Sequence, residues 1–325
     1  MTRGLALANA VALLLALIWL ALMTLPVARA VRVRNAFLLR RGRPGDFTWT
    51  PSATPSDFRV ERLAAPAVIA AAVEAIGMRR EDDDWARACA LVGMLVRHAQ
   101  HEGGIGADLA GTFEGIASGH GYCADYVRVY MAAARCADLF CRQWAFSFDG
   151  FGGHGHTFVE IYDRQRAAWV FIDVHNNVYA VLVGNDTPLD ALSLRQALIG
   201  APSAIEFRRA APGRLGFPQP DKLRDYYRRG AGEWYLWWGN DVIAREQGGW
   251  IGALGGVSGR LAHWAGSAFG GMPPLVVLAT SENEPTIARM EALRRRVAWA
   301  ASVSALLGIG LCAQLGWTML GRSHV

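Results

Sequence analysis

Cys123, His156 and Asp173 each stand in a local setting that thiol acyl transfer requires. Cys123 follows the glycine-broken stretch Gly119-His120-Gly121-Tyr122 and opens a helix-forming run through Asp125, Val129 and Ala133 to Arg135. A cysteine at a helix N-terminus meets unpaired backbone N–H groups and the positive end of the helix dipole, both of which favour the nucleophilic thiolate. His156 begins a strand-like run to Tyr162. A polar turn, Asp163-Arg164-Gln165-Arg166, leads into a second strand-like run from Ala168 to Val174 that holds Asp173.

The two runs form a hairpin. With an even-numbered turn Tyr162 pairs with Ala167, and His156 lies directly opposite Asp173 on one face. With an odd-numbered turn the two are diagonal, still within reach. The other face carries Thr157, Val159, Ile161, Val170, Ile172 and Val174, all β-branched and suited to a packed sheet. A carboxylate beside an imidazole orients the ring and stabilises its charged form, so the pair supplies the base and its orienter, and Cys123 the nucleophile.

Three ordered blocks then resemble the signatures of the transglutaminase-like superfamily. They are Gly121-Tyr122-Cys123-Ala124-Asp125, His156-Thr157-Phe158-Val159-Glu160-Ile161-Tyr162 and Trp169-Val170-Phe171-Ile172-Asp173, with Arg142 on an intervening strand. The resemblance covers Thr112 to Asn177. It implies an α+β, papain-like core, a nucleophile helix packed on an antiparallel sheet, and a peptide or protein substrate for a peptidase, amidase or cross-linking enzyme. It implies no metal or organic cofactor. The alternative is a non-catalytic, membrane-bound binding module that keeps the fold.

Rival roles attach to several neighbours. His154 and His156 form His-x-His, which with His175 or Asp173 makes a metal site the competing chemistry. Glu160 and Trp169 read as cross-strand neighbours, with Glu160 a structural buttress, and Tyr122 as a wall of the cleft. The oxyanion hole draws on the Cys123 N–H and a second donor, with Gln100 and His120 as weak choices. His98 and His101 read as helix C-terminal cations. Five cysteines, Cys89, Cys123, Cys136, Cys141 and Cys312, show no disulfide or CxxC spacing, and Cys136 and Cys141 read as packed core thiols.

The ends of the chain explain why hydrophobic content reaches 52% of 325 residues. Leu5–Val27 and Val297–Leu320 carry no charge and are long enough to span a bilayer, with Trp19, Trp299 and Trp317 as interfacial anchors. The competing reading of the first is a cleaved signal peptide ending at Ala28-Arg29-Ala30. Arg29, Arg32, Arg34, Arg40, Arg41 and Arg43 follow the first span, and Arg289, Arg294, Arg295 and Arg296 precede the second. Only Arg3 and Arg322 lie beyond, which favours a cytoplasmic central domain over an extracytoplasmic one. The formal charge of +5 comes largely from these flanks and points to membrane lipid as a partner; no nucleic-acid motif is present.

This organisation gives a transmembrane helix over 1–30, an Arg/Pro/Gly-rich linker over 31–60, a transglutaminase-like domain over 61–280 and a helix over 285–325 continuing into the second span. Helical patterns within the domain cover Ala65–Met78, Glu81–Gln100, Leu109–Ala117 and Pro188–Leu198, the last following one strand. The Trp- and Gly-rich stretch from Trp234 to Pro274 reads as a membrane-surface segment or as a buried loop or lid.

Overall fold

The computed structural model describes residues 2–79, 83–98, 103–214, 216–247 and 271–320. The fold is α+β, a mixed sheet with helices on it and two apolar helices at the ends. Helix α1 (Thr2–Thr24) and the long α10 (Glu284–Leu320) are each long and apolar enough to cross a membrane. They pack together in opposite directions, with Asn9 near Gly310 and Trp19 near Trp299. Leu5, Leu7, Leu14, Trp299 and Trp317 point outward from the pair. Pro285 lies in the first turn of α10, where its missing N–H costs nothing.

The segment read as a linker is built into the domain. Val27–Leu38 forms helix α2, and Leu39–Gly42 forms strand β1, parallel to β8 (Leu275–Leu278). Arginine-rich composition argued for a loop, but Ala30, Asn35 and Ala36 of α2 are buried, and tertiary burial decides. Helices α3 (Ala67–Ala75), α4 (Asp84–Leu95) and α5 (Leu109–Ala117) sit within the segments whose periodicity predicted them. Asp83 caps α4 by accepting from Ala86 N–H. Helix α6 (Cys123–Cys136) starts at the predicted nucleophile.

Strands β2 (Cys141–Ser147), β3 (Gly155–Asp163) and β4 (Ala168–Ile172) form an antiparallel block, and β7 (Trp234–Trp237) joins it to β8 and β1 in the order β1-β8-β7-β2-β3-β4. Val159, Ile161, Val170, Ile172 and Val174 pack against α6, as their β-branched pattern predicted. The opposite face carries an aromatic core of Trp144, Phe146, Phe158, Phe171 and Trp234. It is covered by β5 (Val178–Leu182), α7 (Ala191–Gly200), β6 (Ile205–Arg209) and α8 (Pro220–Gly230). The sequence pattern shows β5 and a helix overlapping α7, but neither β6 nor α8. A short α9 (Val242–Gln247) follows β7. The glycine-rich part of the Trp234–Pro274 stretch lies outside the described residues, while Trp234–Trp237 is a sheet strand.

The hairpin register differs by two from the predicted one. Tyr162 pairs with Trp169 and Glu160 with Phe171, leaving Arg164–Ala167 as the turn. Ala167, expected to pair with Tyr162, instead takes a positive φ of 50° and belongs to the turn, and the ladder closes at Asp163 and Ala168. A shift of two preserves the faces, so His156 and Asp173 still share one, but as diagonal neighbours beyond the last ladder pair. Trp169 is accordingly not the cross-strand partner of Glu160.

Candidate active site

The nucleophile loop is held by one carboxylate. Asp125, in the first turn of α6, accepts from Tyr122 N–H at 2.9 Å and from Ile105 N–H at 3.3 Å. Gly121 reaches Tyr122 with a φ of 121°, and its N–H donates to Gly103 C=O at 3.1 Å. A side chain at Gly121 would be strained there, which accounts for the glycine. Cys123 emerges half-buried at the head of α6, where the first amides have no intrahelical acceptor. Tyr122 beside it is exposed.

His156 is buried and its Nε2 contacts Asp173 Oδ2 at 2.7 Å. The ring also feels the Cys123 side chain, by its charge and by hydrogen bonding. Burial alone would push His156 towards the neutral form. The charges of Asp173 and Cys123, with hydrogen bonds to both, overcome it and raise the imidazole to about 10. Asp173 is fully buried, which by itself favours protonation, yet His156 and the surrounding donors hold it at about 2.

Those donors were absent from the sequence reading. Tyr227 Oη donates to Asp173 Oδ2 at 2.6 Å from helix α8. Asn176 donates its backbone N–H to Oδ1 at 3.1 Å and its side-chain amide to Oδ2. Tyr226 packs its ring on His156, with centroids 5.5 Å apart. An Asp-x-x-Asn spacing is a local turn signal that could have revealed Asn176. Nothing local marks Tyr227, which lies 54 residues from the aspartate it serves.

Other predicted residues fall around this centre or away from it. His175 is edge-on to Tyr126 and to His156, and burial with the nearby His156 charge lowers it to about 4. His154 is exposed in the β2–β3 loop. Among the described residues no group of three or more His, Cys, Asp or Glu side chains is placed to hold a metal. His120 is exposed, and Gln100 and His101 lie outside the described residues. Glu160 is fully buried in a pair with Arg142 at 2.7 Å, and it also accepts from Trp144 Nε1 and from Ala191 N–H. Arg142 stacks 3.9 Å from the Trp169 ring centroid, so this pair braces the sheet and does not enter the cleft.

Of the remaining thiols, Cys141 is buried as predicted, and burial pushes it up to about 12. Cys136 is exposed instead of packed, because it falls on the outer face of the last turn of α6. Burial and the Asp83 charge raise Cys89 to about 12. A cavity of about 510 Å³ beside the start of β3 is lined by Ser147, Phe148, His154, Gly155, Tyr226, Arg229 and Glu233; no residue of the triad lines it, and Tyr226 of its lining packs on His156. A cavity of about 550 Å³ near Arg135 and Phe140 lies at the far end of α6 and holds no residue of the triad.

No protein-family model, curated protein or solved structure matches this chain.

Proposed function

We propose that the chain is a membrane-anchored thiol acyl-transfer enzyme of the transglutaminase-like superfamily with a papain-like core, acting through Cys123, His156 and Asp173. The observation that carries this reading is the buried, charge-stabilised His156 between Asp173 at 2.7 Å and the thiol at the head of α6. His156 takes up the thiol proton as the reaction starts. The Cys123 sulfur attacks an amide or ester carbonyl, forming a C–S bond, and the oxyanion meets the Cys123 N–H. His156 then gives its proton to the leaving amine or alcohol as the C–N or C–O bond breaks. Water or an acceptor amine attacks the thioester and surrenders a proton to His156. The C–S bond breaks and His156 returns the proton to the departing sulfur. Asp173, held by Tyr227 and Asn176, keeps the ring oriented and its charge balanced throughout.

The test needs no known substrate. Iodoacetamide at pH 6 to 7 should alkylate Cys123 ahead of Cys89 and Cys141, which burial pushes up to about 12, and ahead of Cys136, which partial desolvation raises despite its exposed position. His156→Ala should slow that alkylation by roughly tenfold or more. Equal labelling of Cys123 and Cys136 in the native protein would instead indicate a structural thiol and a non-catalytic binding module.

A further inference from the structure

Building on the thiol-enzyme reading, we infer that the nucleophile end of the sheet faces the bilayer and that the substrate is a membrane-tethered peptide segment. Such a segment is a polar stretch of chain held at the headgroup layer by its own span or lipid anchor. Strand β2 runs up to the 148–154 loop and β3 returns from it, so this loop caps the end of the sheet where His156 stands. The same loop is fastened to both helices that lead from the spans. Arg32 of α2 donates to Asp149 C=O at 2.7 Å and pairs with its carboxylate at 3.2 Å. Asn35 donates to Phe151 C=O at 2.8 Å. Gly153 lies so close to Val31 that an added Cβ would come within 2.4 Å of it, and at Gly150 one would meet Thr286 of α10 at 3.3 Å.

Chain length limits how far this end can stand from the membrane. Arg32 is eight residues beyond Thr24, about 12 Å at helical rise, and Thr286 is eleven residues before Val297, about 16 Å. The headgroup layer itself occupies about 5–8 Å on each side of the hydrocarbon. His156 follows this loop by two residues and is coupled to Cys123, so the nucleophile belongs to this end of the sheet. Cys136, at the other end of the 14-residue α6, is about 20 Å farther along the helix.

The cavity beside the start of β3 argues for a peptide over an acyl chain. Ser147, His154, Arg229 and Glu233 line it, with Arg229 stacked 5.4 Å from the Phe148 ring centroid. A hydrocarbon tail would strip water from these groups without replacing its hydrogen bonds, whereas a polar backbone supplies donors and acceptors.

The placement is tested with the full chain in phosphatidylcholine–phosphatidylglycerol vesicles. Single-cysteine variants carry a bimane fluorophore at His154→Cys or at Cys136, and headgroup-nitroxide lipid is the quencher. Quenching at 154 should exceed that at 136 several-fold; equal or reversed quenching overturns the inference. A second arm uses the wild-type protein and a short-spacer iodoacetyl phosphatidylethanolamine, which should label Cys123 at least tenfold over Cys136. Labelling of Cys123 by soluble iodoacetamide but not by the lipid reagent overturns the membrane-facing site and leaves the thiol enzyme standing. Strong quenching at 154 with no labelling of Cys123 by either reagent supports the orientation and sinks the enzyme. A fatty-acyl adduct on Cys123 from peptide-free vesicles, seen by intact mass, would make the lipid ester the substrate in place of the peptide.

Discussion

At the scale of single residues the site is an electrostatic balance centred on Asp173. Its folded value of about 2 lies below the ordinary carboxylate range, so its contribution to stability is present above about 4 and is lost as pH falls through 2. His156 is raised to about 10, so its contribution is complete below about 6.5 and is lost as pH rises through 10. The pair therefore stabilises the fold most between about pH 4 and 6.5, and denaturant titrations across pH should show that maximum. Tyr227→Phe removes one donor from Asp173 without opening a cavity. It should cost about 1.5–3 kcal/mol, the usual worth of a hydrogen bond to a charged group, and should move the acid limb of the stability profile upward. An unchanged acid limb would mean that Tyr227 is only a packing residue. A cut in Cys123 alkylation in the same variant, with the pH 7 fold intact, separates positioning of the imidazole from plain structural support.

At the scale of elements, close approach decides what a position tolerates. Gly155 starts β3 beside His156, and a Cβ there would come within 1.8 Å of the Phe146 carbonyl oxygen. Backbone cannot yield as a flexible side chain does, so Gly155→Ala must push β2 and β3 apart. It should cost about 1–3 kcal/mol by overpacking and slow Cys123 alkylation as His156 moves with its strand. The Arg142–Glu160 pair gives a second check on the sheet. Glu160→Ala leaves a buried guanidinium unpaired and should destabilise the protein by about 3–5 kcal/mol in a urea titration. What could be read from sequence follows the same divide between local and distant causes. The start of α6, the hairpin and α10 announce themselves within a few residues through Gly-Tyr-Cys, alternating β-branched positions and Pro285. The two-residue register error arises because periodicity fixes which face a side chain takes but not where the turn closes. β1 carries no local signal because it pairs with β8, more than 200 residues away. Helix α8 matters through Tyr227 reaching Asp173, a contact no local pattern encodes.

At the scale of the whole molecule, the two apolar helices run in opposite directions, so two membrane crossings by them would put both termini on one side and the domain on the other. Ten arginines border the domain side of the spans, against Arg3 and Arg322 beyond them. In the folded protein several of the ten are matched by acids, as in Arg32–Asp149, Arg40–Asp57 and Arg41–Glu284. Orientation follows the Lys and Arg count near the spans and not net charge, so these pairings do not cancel the bias. A long domain can still be exported against such a bias, and cleavage after Ala30 would leave a single span. Cleavage there would cut helix α2 just before Arg32 and Asn35, the residues that hold the 148–154 loop. The expected arrangement is therefore two retained spans, a cytoplasmic domain and extracytoplasmic termini. Alkaline phosphatase fused after Val325 should be active, and a fluorescent protein that matures only in the cytoplasm should stay dark there. The opposite pair of signals would put Cys123 on the outer side and make envelope peptides its substrates. A fusion protein that has lost its first 30 residues would show that the first apolar helix is an export signal.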